Sequence, residues 1–298
     1  MKKILYVLGV LFLSLAVINV NAMESYILEE IEEKGYYTNV KGVKIDKEFY
    51  KEIKEYYSDY DIENMNSSSY AIIFKAIFEK GYKIGGIEEK YIETTYFEKS
   101  DGTISNIENR TISEEEYIGK STIETLESCG SGCFKTEYKT VRIVDLYNGN
   151  KVAMMLENTW LKMPKIKKFD VIALRWDSGF NITEYTGTQS VTTTKKEEYF
   201  YTKGNDHYKI TSNGIGLSMN LVDAAKEINN ILYIEGTCTS STTFYGTYQH
   251  ARNSNVTLAI SKSYSFSSSG LGGVLYFSNK TYRGYYDAME GVSYKHKL

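Results

Sequence analysis

Hydrophobic and polar positions along the chain fall into three successive patterns. The first is an almost unbroken apolar run from Ile4 to Val20, led by Lys2-Lys3 and followed by Asn21-Ala22. A positive start, an apolar centre and small residues where a signal peptidase reads make a secretory signal peptide. Residues 1–22 are therefore expected to direct export and to be removed by cleavage after Ala22. An uncleaved anchor is the competing reading, because the run lies near the lower limit for spanning a bilayer.

The second pattern has apolar residues at three-and-four spacing. Phe49, Tyr50, Ile53, Tyr56 and Tyr57 recur in this way between Lys and Glu, which predicts a helix over Asp46 to Tyr57 with Asp46 as its N-cap. A second helix is expected from Tyr70 to Phe78, capped by Ser67 or Ser68 and ended by Gly81. Each is too short to be stable alone, so both must pack. Ile87 to Glu98 reads as extended, and the acidic stretch from Thr103 to Gly119 reads as a linker. Residues 23–115 are thus expected to form a small helical N-terminal region with its linker.

The third pattern fills residues 116–298. Strand signals recur at Thr122–Leu126, Glu137–Leu146, Val152–Leu161, Asp170–Trp176 and Gln189–Tyr201. They continue at Tyr208–Ser212, Gly216–Val222, Asn230–Cys238, Thr243–Ala251, Val256–Phe266 and Val274–Ser278. Asn148-Gly149 between extended segments is a hairpin signal, since both residues tolerate positive φ. Leu221 to Ile228 also fits a helix. Many short strands without long helices between them predict a mainly β chain, with an antiparallel β-sandwich, Ig-like or similar, after the helical region.

Composition agrees with this reading. Tyr supplies 28 residues and the chain has a single proline, so strands are rich in broad half-apolar side chains and turns rest on Gly, Asn, Asp and Ser. The formal charge is −3, and loss of Lys2 and Lys3 makes it more negative. Such a balance argues against nucleic acid as a partner. The basic run Lys162 to Lys168 reads as a solvated loop.

Chemistry is sparse. Export favours oxidised thiols, and Cys129-Gly-Ser-Gly-Cys133 can bend to bring its sulfurs together, so a Cys129–Cys133 disulfide is expected. Cys238 is then the odd cysteine and reads as a buried thiol. A Cys238–His250 dyad oriented by Asp287 is the catalytic alternative, without a supporting local motif. Asp145, Asp170 and Asp177 flank strands, but no calcium-loop pattern accompanies them, and no metal or cofactor is expected. The Ser/Thr-rich stretch Thr183 to Tyr201 invites comparison with pore-forming hairpins. Lys195-Lys-Glu-Glu198 interrupts it, so stable membrane insertion is not expected.

Tyr245, Tyr248, His250, Tyr285 and Tyr286 are candidates for a binding surface, because Tyr joins a flat apolar face to a hydrogen-bonding tip. The competing reading places these tyrosines in the sheet core. Phe244 to Ala251, Val256 to Phe277, Tyr285 to Val292, the Cys129–Cys133 loop and Tyr56 to Met65 resemble secreted proteins of low-GC, gut-type bacteria. That resemblance implies export and a two-part layout, and carries no activity. The expected function is a secreted, non-enzymatic module that binds an extracellular protein or glycan. The alternatives are an extracellular hydrolase built from distant acids and His250, or a β-pore-forming toxin.

Overall fold

A computed structural model describes residues 26–100, 104–122, 132–267, 273–287 and 291–298. The chain divides into two compact units, one running through Ile84 and the other from Gly85 to Leu298. The signal segment lies outside the described residues. Among the described residues no helix is long and apolar enough to cross a membrane.

The first unit opens with helix α1 at 26–34, followed by a two-stranded ladder, β1 (Tyr36–Thr38) with β2 (Lys44–Asp46). Helix α2 (Lys47–Ile53) starts where expected: the Asp46 side chain accepts the Phe49 N–H at 2.8 Å. It stops at Ile53 rather than Tyr57, because Ser58 begins a new helix, α3 (Asp59–Asn64), with a capping box to Asp61. Helix α4 (Ser67–Phe74) is capped by Asn66, one residue before the expected serine. A π-helical turn, Lys75–Glu79, follows, and Gly81 ends it at φ 68°. Phe49 packs its ring edge-on to Tyr70 at 4.7 Å.

The second unit is a β-sandwich. Its larger sheet is built from β3 (Lys83–Glu98), β4 (Ile104–Ile112), β5 (Cys133–Asn148), β6 (Lys151–Trp160), β8 (Phe180–Thr192), β9 (Lys196–Tyr201) and β12 (Glu227–Cys238), in the order β4-β3-β5-β6-β12-β8-β9. The smaller sheet holds β7 (Phe169–Trp176), β10 (Tyr208–Thr211), β11 (Gly214–Asn220), β13 (Thr242–Gln249) and β16 (Val292–His296), in the order β10-β11-β7-β13-β16. The registered strand pairs are antiparallel. Between the sheets lie Val141, Ile143, Met154, Leu156, Trp160 and Leu232 from one side and Ile172, Leu174, Leu217, Phe244 and Tyr248 from the other.

Several boundaries differ from expectation for local reasons. The stretch expected to be a linker carries β4 and helix α5 (Glu114–Thr122). The expected strand Gln189–Tyr201 is two strands, since Thr193 to Lys195 turns β8 back onto β9. Leu221 to Lys226 is a loop, and β12 begins at Glu227. Most of the candidate strand Thr122–Leu126 lies outside the described residues.

After β13 the chain makes a long excursion before returning as β16. The excursion holds helix α6 (Leu258–Ser261), β14 (Tyr264–Phe266), β15 (Leu275–Phe277) and helix α7 (Lys280–Arg283). The expected strand Val256–Phe266 is therefore a short helix and a short strand, because Thr257 caps α6 at the Ile260 N–H. Val256, Tyr264, Leu275, Phe277 and Tyr286 cluster with Val171 and Ala173, so this excursion covers one face of β7. Its neck is closed by a bridge between Ala251 and Tyr286.

Candidate functional site

The inward rows of the sandwich stop being apolar at one end. Along β5 the alternation that points Val141 and Ile143 into the core also carries Glu137 and Lys139 inward. Along β7 the row Trp176, Leu174, Ile172 ends in Asp170. On β13 and just past it, Phe244 and Tyr248 are followed by His250. Across the larger sheet, register sets Asn158 opposite Asn230 and Asn230 opposite Gln189. These amides bond in sequence: Gln189 Nε2 to Asn230 Oδ1 at 2.9 Å, and Asn230 Nδ2 to Asn158 Oδ1 at 3.1 Å. Buried polar groups demand such partners.

The charged part of this layer lies at the neck of the excursion. Lys139 Nζ donates to Asp287 Oδ2 at 2.9 Å, and neither side chain is exposed to solvent. Arg252 Nη2 donates to the same oxygen at 3.0 Å, while its Nη1 donates to Glu137 Oε2 at 2.6 Å. The His250 backbone N–H reaches Asp287 Oδ1 at 2.8 Å, and the next N–H, that of Ala251, reaches Asp170 Oδ1 at 2.8 Å. The His250 ring sets Nδ1 against Asp170 Oδ2 at 2.8 Å. Tyr248 donates its hydroxyl to the same carboxyl and accepts from Trp160 Nε1 at 3.1 Å. The Trp160 ring lies 4.7 Å from Lys139 Nζ and 5.0 Å from the His250 ring.

Burial decides the protonation here. It drives the Asp170 carboxyl well above its ordinary value and the His250 imidazole well below. Both shifts favour the uncharged forms of the pair, a protonated acid beside a neutral imidazole. Burial also raises Asp287, but attraction to Lys139 and Arg252 outweighs it and holds that carboxyl below its usual range. Lys139 is lowered, first by burial and then by the Arg252 charge, against the pull of Asp287. The two directions are compatible: Arg252 keeps Asp287 ionised while loosening the proton on Lys139.

The sequence-predicted residues separate into two environments. Tyr248, His250 and Tyr286 are buried, with the Tyr286 hydroxyl on the Phe169 carbonyl at 2.9 Å, so these three offer no surface to a partner. Tyr245 is half-buried under Arg175, whose guanidinium lies 4.0 Å from its ring, and its hydroxyl meets Asp177. Tyr285 is half-buried beside Tyr282. Cys238 is buried in the main core, and the groups acting on its thiol are Thr242 and Asp145. His250 has Asp170 as its ring partner instead, so the Cys238–His250 dyad is not assembled. Asp145, Asp170 and Asp177 go to separate places, against His296, His250 and Arg175. Among the described residues no cluster of His, Cys, Asp and Glu could hold a metal ion. Cys133 opens β5, whereas Cys129 lies outside the described residues.

Sequence reasoning passed over Lys139, Arg252 and Glu137. The signal was present, since Glu137-x-Lys139-x-Val141-x-Ile143 has strand periodicity with charges at inward positions.

Above the charged neck the surface opens into a groove of about 540 Å³. Arg252 contributes to its wall, together with Asn253, Ser254, Asn255, Thr281 and Tyr285. Ile104 and Ile107 of the edge strand β4 add an apolar side. Asn253 and Asn279 each turn a local loop through their side chains, on the Asn255 and Thr281 N–H groups at 2.9 Å. The groove thus combines amide, hydroxyl and aromatic groups on shaped loops.

No protein-family model matches the chain, and no curated protein matches it. Among solved structures, the chain is similar to the collagen-binding subdomain of the Enterococcus faecalis surface protein ACE, with 15% identity and a TM-score of 0.25, over 35% of this chain and 77% of that one. A collagen-binding domain from a Staphylococcus aureus adhesin shows 14% identity and a TM-score of 0.26, over 38% of this chain and 83% of that one. The C-terminal domain of the Streptococcus pyogenes antigen I/II-family protein AspA shows 10% identity and a TM-score of 0.24, over 56% and 82%. Likeness at this level carries no argument about fold or binding, and the sandwich described above stands on its own strand order.

Proposed function

We propose that this chain is an exported binding module that recognises an extracellular protein or glycan through the groove at Arg252, Asn255, Thr281 and Tyr285. The observation that supports it most is the separation of the two environments. The groups a hydrolase would use, His250, Asp170 and Asp287, are buried, while the open groove presents amides, hydroxyls and an aromatic ring. Such a lining suits recognition, where an aromatic face supplies contact area and fixed polar groups supply orientation. The signal segment at 1–22 supports export, and a Cys129–Cys133 disulfide belongs to the same oxidising setting. The domain layout that goes with it is a helical first unit through Ile84 and a binding sandwich from Gly85, since β3 and β4 belong to the larger sheet and not to a linker.

A glycan array and a panel of purified extracellular proteins test this reading with the mature protein. Saturable binding to a member of either set is expected. Silence on both, with protein shown to be folded, would remove the reading.

A further inference from the structure

We propose that Lys139 and Asp287 form an intramolecular amide cross-link, made by the folded protein on itself. The amine nitrogen stands 2.9 Å from a carboxylate oxygen, and both side chains are closed off from water. Held this way, the two groups are at near-attack distance, which replaces a costly encounter by a fixed geometry. A buried ion pair bears the desolvation of two charges, whereas an amide bears none. Exclusion of water also removes the reactant for the reverse step.

The surroundings supply what the chemistry needs. Transfer of one proton from the Lys139 ammonium to the Asp287 carboxylate gives a neutral amine and a carboxylic acid. The Nζ lone pair then forms a bond to Cγ, and the carbonyl electrons move onto oxygen. That oxygen, Oδ1, is met by the His250 N–H as an oxyanion-hole donor, while Arg252 donates to Oδ2, the oxygen that leaves. Collapse restores the carbonyl and breaks the bond to the hydroxyl, which takes a proton and leaves as water. The amine nitrogen gives up one proton in exchange. Asp170, anchored on the N–H adjacent to the one that holds Asp287, relays these protons. Its protonated state and the loosened proton on Lys139 favour the same direction. Overall an ammonium and a carboxylate become an amide and one water, with no oxidant or cofactor.

The bond would span 148 positions of the chain and fasten the neck of the excursion to β5. Of the groove's lining residues only Arg252 takes part, and peptide masses read the bond without any ligand, so this inference stands or falls apart from the proposed binding role.

Peptide mapping of the reduced, alkylated protein tests it. Trypsin does not cut after an acylated lysine, so the cross-linked chain gives residues 136–142 joined to residues 284–295 as one branched peptide. That peptide should be lighter than its two parts by one water. Lys139→Met should abolish it, and Asp170→Asn should lower its yield at least tenfold at equal time after folding. Recovery of 136–139 and 284–295 as free peptides from the wild-type protein would overturn the cross-link, whatever the variants do. Full yield in folded Asp170→Asn would overturn the relay.

Discussion

Asp170 and His250 face each other in a dry layer, and their proton count sets a pH signature. Unfolded, they titrate near 3.8 and 6.5; folded, burial keeps Asp170 protonated and His250 neutral. Between those two values each state of the protein holds one titrating proton on the pair, so the pair adds no slope. Above 6.5 the unfolded His250 loses its proton while folded Asp170 retains one. The folded state then binds more protons, and stability falls as pH rises, by up to about 1.4 kcal/mol per pH unit. Below 3.8 the unfolded pair binds two protons and the folded pair one, so stability falls as pH falls. Urea titrations at pH 5 and pH 8 check this. Wild type should lose stability between them relative to a double variant, Asp170→Asn with His250→Gln, and equal losses would refute the assignment. Little of this was legible beforehand. His250 and Asp287 stand out in the sequence as chemistry-bearing residues near one another in the chain. Asp170 and Lys139 come from distant strands, and only the register of two sheets brings them to the same place.

The elements show why some strands were readable and others were not. Central strands such as β6 and β12 are apolar on both faces and announce themselves. The two strands of the sandwich that the pattern did not reveal, β4 and β16, are both edge strands. An edge needs polar and charged side chains to discourage pairing with other chains, and this erases the alternation that marks a strand. In β4 the signal is weakened further by Asn106 at φ 51° and by a register shift in β3 between Thr95 and Phe97. The β5–β6 hairpin was legible to within one residue. Its loop is Gly149-Asn150, closed by Asn148 opposite Lys151, and Gly149 takes φ 61°. A side chain at Gly149 would meet no neighbour within 4 Å, so the cost of replacing it is conformational alone. Gly149→Ala should therefore lower stability by about 1 kcal/mol. Denaturant midpoints measure this, and an unchanged midpoint would contradict the turn geometry.

At the scale of the molecule, the mainly β, antiparallel sandwich follows from the sequence because strand periodicity and turn chemistry agree over most of residues 132–296. The excursion between β13 and β16 does not, since its short elements are set by what they cover on β7 and not by their own pattern. A covalent tie at its neck would matter for the whole fold. In the chain-entropy description of cross-links, a loop of this length is worth up to about 5 kcal/mol through the unfolded state. Lys139→Met should accordingly melt well below wild type, beyond the loss expected from one buried contact; melting temperatures that match would argue that no tie exists.

The remaining surface is where recognition is placed, and Tyr285 and Asn255 lie on it without belonging to the buried charge layer. The decisive measurement is an equilibrium titration of a ligand identified by the array or protein panel against wild type and the double variant Tyr285→Ala, Asn255→Ala. Binding at least tenfold weaker, with an unchanged melting temperature, is the expected result. Wild-type affinity in the folded double variant would contradict recognition through the groove.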